Sequence, residues 1–261
     1  MKPITELSKN DIRNLKIICF DVDGVTVKKG TKIKEVETKE TTTLTIKTNK
    51  LSKQMLEKMI ELKKHYVIAI ASGRSSLYLT ELYYKLLWNN AALISENGIF
   101  TLMNGNLIQN EKFSYKTLMN LRNIFIDLQK LEGKHKDFIA FEPKQFLITL
   151  HACSEIMKVY DIVKKYDTDK KLYCWWNGEA FDIAPKRLNK GAGLKNLAKH
   201  LNIDISKTMA IGNGPNDKDM IDVAGIGITT EPKTIKADFY TTGSQHLGGE
   251  ELVDVLLKLS K

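Results

Sequence analysis

The chain has 261 residues, 43% of them hydrophobic and 27% charged. That is length for one large domain or two modest ones, with apolar material for a packed core, and it excludes disordered, fibrous and collagen-like classes. Lys and Arg outnumber Asp and Glu by 40 to 31, a net charge of +9. The basic residues are scattered, and no zinc-finger spacing or aromatic stacking platform accompanies them. The expectation is therefore a lysine-rich solvated surface, or a field suited to a phosphate-bearing substrate, and no nucleic-acid partner. Cys19, Cys153 and Cys174 lie far apart, which implies neither a disulfide framework nor a metal knuckle. The N-terminus lacks a signal-peptide pattern, and no apolar run approaches the ~18 residues of a membrane span. A cytoplasmic protein with reduced thiols and no membrane partner, monomer or homodimer, is expected.

Leu15 to Phe20 reads as a buried parallel strand emptying into the acidic loop Asp21-Val22-Asp23-Gly24. Thr31 to Thr48 is rich in Thr, Ile, Val and Lys around a polar break at Glu37-Thr38-Lys39-Glu40, and reads as a hairpin. Apolar residues at 51, 55, 59 and 62 predict a helix. A second buried strand, Tyr66 to Ala71, runs into Ser72-Gly73-Arg74; a helix and then the strand Ala92 to Ser95 follow. This alternation predicts a parallel α/β sheet. The rhythm then changes: a helix over Phe113–Leu131, strands over Phe138–Glu142 and Gln145–His151, a helix over Ser154–Tyr166 and a strand region over Lys171–Ile183. After Pro185 the α/β pattern returns: a helix from Gly191, the strand Thr208–Ile211, the loop Gly212–Asp219, a helix over Met220–Ala224 and the strand Ile226–Ile228. The predicted fold is a Rossmann-like doubly wound parallel sheet core, residues 1–107 and 185–261, with an α+β cap inserted over 108–184.

Four short motifs carry chemistry. Two carboxylates two residues apart at a strand's carboxyl end, Asp21 and Asp23, suit a nucleophile and a general acid/base; alone, such a loop could also be a plain turn or a stray calcium-type loop. Ser72 and the backbone around Gly73 and Arg74 could receive a phosphate oxygen, or Ser72 could simply cap a helix. Lys190, opening a helix, could neutralise phosphate charge, or be one more lysine of a lysine-rich chain. Gly212-Asn213-Gly214-Pro215-Asn216-Asp217 offers oxygen ligands which, with Asp21, suit Mg²⁺, or it is a polar surface turn.

In this order, each at a strand end or helix start, the motifs Phe20-Asp21-Val22-Asp23-Gly24-Val25, Ala71-Ser72-Gly73-Arg74, Lys190 and Gly212 through Met220 resemble the haloacid dehalogenase superfamily of aspartate-nucleophile phosphatases. The resemblance spans the core. It implies a Mg²⁺-dependent phosphatase acting on a small phosphorylated metabolite through an aspartyl-phosphate. Asp21 would be the nucleophile and Asp23 the acid/base. Ser72, Gly73, Arg74, Lys190 and Asn216 would bind the phosphoryl group. Asp21, the Asp23 carbonyl, Asn213 and Asp217 would hold the metal. One departure stands out: most members carry aspartate where this chain has Asn213. The resemblance therefore also admits a weakly active or non-catalytic phosphate-binding protein, and a phosphosugar mutase.

The position of the insert and Ser95-Glu96-Asn97-Gly98 resemble the capped Cof-type and sugar-phosphatase branch, which includes sucrose-, trehalose- and mannosyl-phosphoglycerate-phosphatase relatives. Glu142-Pro143-Lys144 followed by His151 is similar to the cap stretch with which trehalose-phosphate phosphatases hold sugar hydroxyls. This implies that Glu142 and Lys144 bind substrate; a solvated turn is the alternative, and His151 is expected to pack at a strand end. Trp175 and Trp176 are expected in aromatic packing or, for one of them, on a sugar face. The 31–48 hairpin is similar in placement to that of ketodeoxyoctonate-phosphate phosphatases, as a flap, an oligomer contact or a plain surface hairpin.

Overall fold

A computed structural model describes residues 1–243 and 246–260. Its strands are Lys2–Pro3 (β1), Ile17–Asp21 (β2), Thr31–Glu37 (β3), Thr42–Thr48 (β4), Val67–Ala71 (β5), Ala91–Ser95 (β6), Phe100–Met103 (β7), Asn106–Gln109 (β8), Phe138–Glu142 (β9), Ile148–Ala152 (β10), Leu172–Trp176 (β11), Ala180–Pro185 (β12), Thr208–Gly212 (β13), Ile226–Thr229 (β14) and Phe239–Tyr240 (β15). The helices are Lys9–Ile12 (α1), Lys53–Leu62 (α2), Ser76–Tyr83 (α3), Tyr115–Gln129 (α4), Met157–Tyr166 (α5), Lys190–His200 (α6), Lys218–Val223 (α7) and His246–Leu259 (α8). Side-chain caps start several of them: Ser52 for α2, Ser75 for α3, Ser114 for α4 and Asn189 for α6. None of the described helices is long and apolar enough to cross a membrane.

The chain forms two compact units. The first comprises Met1–Gly30, Asn49–Asn110 and Asn189–Lys261; the second comprises Thr31–Thr48 and Glu111–Leu188. The 31–48 hairpin thus groups with the inserted segment, although its sequence position falls within the stretch assigned to the core. The reason is packing: β3 lies against β9.

The first unit is built on a nine-stranded sheet of order β1-β15-β14-β13-β2-β5-β6-β7-β8. It is parallel from β1 through β6, and antiparallel at β6–β7 and β7–β8. Every residue of β2, β6 and β13 is buried, as expected of strands covered on both faces. Alternate side chains of β2 feed two apolar layers. Ile18 and Phe20 join Ile68, Ile70 and Leu252, while Ile17 and Cys19 join Ala69, Ala71 and Leu194. The β7–β8 hairpin extends the sheet beyond the predicted strands. Its signal is the dipeptide Asn104-Gly105 between apolar runs: both residues have positive φ (51° and 77°), and Met103 pairs with Asn106 across a two-residue turn. The carboxyl ends of β2, β5 and β13, three adjacent strands, lie where the chain order reverses. Ligands of open α/β sheets bind at such a place.

The second unit holds an antiparallel sheet of order β11-β12-β10-β9 and the separate pair β3–β4. The stretch Lys171–Ile183, predicted as one strand region, is two strands turning near Asn177. Ile148, Leu150 and Ala152 of β10 pack with Leu121, Ile124 and Leu128 of α4 and Val159 of α5. Trp176 packs at a tilt against Phe181 with ring centroids 4.8 Å apart, in this apolar layer, so the packing expectation holds for it. The intervening β10 residues Thr149 and His151 point to the other face.

Cys153 is exposed, Cys19 buried and Cys174 half-buried. Burial pushes the Cys174 thiol up to about 12 and raises that of Cys19 further. One thiol per native chain should therefore react rapidly with a chromogenic disulfide reagent at pH 8, and all three after denaturation; two or more fast native thiols would contradict this packing.

Candidate active site

All the motif side chains predicted for the core lie in the first unit, and most of them join one hydrogen-bonded chain. It begins at Asp21, the last residue of β2. The Lys190 ammonium donates to Asp21 Oδ1 and, at 2.6 Å, to Asp217 Oδ1. The other Asp217 oxygen accepts from the backbone N–H groups of Asn213 and Gly214, both at 2.9 Å. Asn213 Nδ2 donates to the Asp23 carbonyl at 2.9 Å. The Asp23 carboxylate takes two bonds from the Arg74 guanidinium, Nε at 2.8 Å and Nη2 at 3.0 Å. The Arg74 backbone N–H reaches Ser72 Oγ at 3.3 Å.

Each position has a local cause. Lys190 is the first residue of α6, capped by Asn189, whose side chain accepts from the Ala192 N–H at 2.8 Å. A cation there opposes the helix dipole, and Lys190 is only 1% exposed. The two carboxylates compensate for both costs. Gly24, at φ +87°, follows Asp23; a Cβ there would lie 2.1 Å from Asn213 Nδ2, so glycine is required for the two loops to meet. Thr26 braces the same loop, bonded to the Asp21 carbonyl at 3.2 Å and to the Tyr83 hydroxyl at 2.5 Å.

Asp21 is 4% and Asp217 0% exposed. Burial, then the neighbouring Asp217 carboxylate, pushes the Asp21 carboxyl up to about 7 against the opposing pull of Lys190. The Lys190 ammonium is raised by its two carboxylates, which outweigh the desolvation that lowers it. The three carboxyl groups of Asp21, Asp23 and Asp217 thus share two cations, Lys190 and Arg74.

Some placements differ from expectation. Ser72 is not a helix cap: α3 begins at Ser76 and Ser75 caps it, which leaves the Ser72 hydroxyl three residues upstream at the end of β5. Arg74, expected on a phosphate, is held on Asp23 and stacks over the Tyr78 ring at 4.4 Å. Asn216 is exposed in the tight turn Pro215–Asp217.

Glu142 and Lys144 lie in the second unit and are not a solvated turn. The Lys144 side chain is 3% exposed; its ammonium donates to Thr149 Oγ1 at 2.6 Å and sits 3.7 Å from Glu142 and 3.6 Å from Asp182. His151 Nε2 pairs with Glu142 at 3.2 Å. Cross-strand register aligns Glu142, Thr149 and Asp182, and Trp175, 39% exposed, is the next partner of Asp182. Thr149 and Asp182 were not among the expected residues; their signal is a polar residue alternating with apolar ones in each strand.

Among the described residues no three His, Cys, Asp or Glu side chains form a ready ligand cluster. The donor types nonetheless suit a hard divalent cation: Asp21 offers a buried carboxylate, and the Asp23 backbone carbonyl, two residues further along its loop, lies in hydrogen-bond contact with the Asn213 carboxamide.

The profile of the haloacid dehalogenase-like hydrolases matches residues 18–173 and 130–234. The chain belongs to this family. Phosphatase YwpJ of Bacillus subtilis is 44% identical over 48 residues, 18% of this chain and 17% of that protein. A second Bacillus subtilis relative, YkrA, also named as a phosphatase, is 25% identical over 87% of this chain and 91% of its own length. The chain matches only 17–26% of the length of the first curated relatives. Trehalose-6-phosphate phosphatase of Aspergillus fumigatus shares the fold, with a TM-score of 0.61 at 14% identity over 99% of this chain and 98% of that one.

Proposed function

We propose that this family member is a Mg²⁺-dependent phosphomonoesterase acting on a small phosphorylated metabolite, of sugar type, through an aspartyl-phosphate. The observation that carries the reading is the buried Asp21–Lys190–Asp217 bridge beside Asp23 at the carboxyl edge of the sheet. A carboxylate aligned by an ammonium and followed two residues later by a second carboxylate is what a double displacement at phosphorus needs.

In the first step an Asp21 oxygen bonds to phosphorus as the bond to the leaving alkoxide breaks, and Asp23 gives that oxygen its proton. In the second, Asp23 takes a proton from water, the water oxygen bonds to phosphorus, and the acyl-phosphate bond opens to release phosphate and restore Asp21. Lys190 and the Ser72 hydroxyl bear on the phosphoryl oxygens. Because Arg74 holds both oxygens of Asp23 in the structure, proton transfer requires that this pair loosen when substrate arrives. Asp21, the Asp23 carbonyl and Asn213 would hold Mg²⁺, with Asp217 ordering their loop, and the ion would neutralise phosphoryl charge.

The sugar reading rests on the second unit. Glu142, Lys144, Thr149 and His151, with the half-buried Asp182, form a row of donors and acceptors on one sheet face, the groups that discriminate hydroxyls. The test is phosphate release from a broad panel of phosphomonoesters with Mg²⁺ or with chelator. Release from sugar phosphates only with Mg²⁺ is expected; release from nucleotides alone would reject the sugar reading, and conversion of one sugar phosphate into its isomer would mark a mutase. Glu142→Gln and Lys144→Met should each raise KM for the preferred substrate about tenfold, the worth of one hydrogen bond to a charged group. Unchanged KM across the panel would remove both residues from recognition.

A further inference from the structure

The Asp23 carbonyl is an acceptor only, and the group that meets it is the amide nitrogen of Asn213, at 2.9 Å. That carbonyl and that side chain are two of the three donors assigned to the cation above, so this inference rests on that reading. In the structure they satisfy each other. The contact is built in: Asn213 is 6% exposed, its backbone N–H is fixed by Asp217, and Gly24 clears the space in which its amide lies.

We propose that the Asn213 carboxamide is a stand-in for the cation, closing the metal-free site with a hydrogen bond that metal binding must break. For Asn213 to offer its oxygen beside the Asp23 carbonyl, the amide must turn over, which sets two oxygen atoms side by side and is favourable only with a positive ion between them. The chain thereby exchanges metal affinity for a closed, stable metal-free state. A carboxylate at position 213 would do the reverse. It has no proton for the Asp23 carbonyl, and it adds negative charge to a site where three carboxyl groups already share two cations. It therefore strains the metal-free protein and attracts the cation more strongly.

The experiment compares wild type with Asn213→Asp by calorimetric titration with Mg²⁺ and by thermal unfolding in chelator and in Mg²⁺. The expected result is a crossed one: Asn213→Asp binds Mg²⁺ about tenfold or more tightly, unfolds at lower temperature in chelator, and gains more from Mg²⁺ than wild type does. Equal affinities, or equal unfolding temperatures in chelator, would overturn the inference while leaving the metal site standing. Binding by neither protein would overturn the metal reading and the inference with it. A measurement on wild type alone guards against a variant that does not fold. The Asn213 side-chain ¹⁵N–H₂ signals should shift and lose protection from exchange on Mg²⁺ addition. Signals unmoved at saturating Mg²⁺ would show that the amide does not turn.

Discussion

Asp21→Asn should lower kcat/KM for phosphate release by at least about 10³-fold, with the protein fully folded. An amide has no lone pair basic enough to attack phosphorus, so the double displacement loses its first bond. The fold should survive, because the replacement keeps shape and still presents an oxygen to the Lys190 ammonium. It also removes a carboxylate whose ionised form burial and the Asp217 charge disfavour. The check is initial-rate phosphate release paired with a urea unfolding midpoint. Undiminished release from the folded variant would remove Asp21 as the nucleophile; a collapsed midpoint would show instead that the Asp21–Lys190 contact is structural.

Lys190→Ala should cost about 3–5 kcal/mol of folding stability, the usual consequence of taking one partner from a buried ion cluster. Lys190 is 1% exposed and bridges two carboxylates that are 4% and 0% exposed, so its loss leaves buried carboxyl groups without their cation. The cost has a recognisable signature. In the Asp21→Asn background one of the two stranded charges is already gone, so the same Lys190→Ala change should cost clearly less, a coupling a double-mutant cycle reads directly. Additive losses would mean that the two residues stabilise the protein independently. Lys190→Met, which keeps most of the side-chain volume, separates the charge effect from a cavity effect: a loss close to that of Lys190→Ala is expected, and a much smaller one would assign the cost to packing.

The elements that the sequence makes most legible are those whose local signal and tertiary role agree. The run Leu15–Phe20 has the unbroken apolar character of a strand buried on both faces, and β2 is buried at every position. Ser52, Ser114 and Asn189 mark helix starts because each supplies an acceptor the first turn lacks. Local signals mislead at Ser72, where a serine after a strand looks like a cap, yet Ser75, three residues on, holds that place. The hairpin of residues 31–48 illustrates another limit: pattern and alternation identify the hairpin, while its allegiance to the second unit depends on contacts with a strand more than ninety residues away.

The same division runs through the site. Residue types and spacing mark the acidic pair Asp21 and Asp23 and the glycine-rich loop ending in Asp217 as candidates, while each motif alone, Lys190 above all, also fits a plain turn or a surface lysine; it is their joint order along the chain that singles them out. Their pairings belong to the tertiary structure. That Arg74 faces the Asp23 carboxylate, that Asn213 turns its nitrogen to the Asp23 carbonyl, and that Lys144 is buried among Glu142, Thr149 and Asp182 follow from where distant strands end side by side. Hydrogen bonds and ion pairs act over a few ångströms of space, and separation along the chain carries no information about them until the sheet has formed.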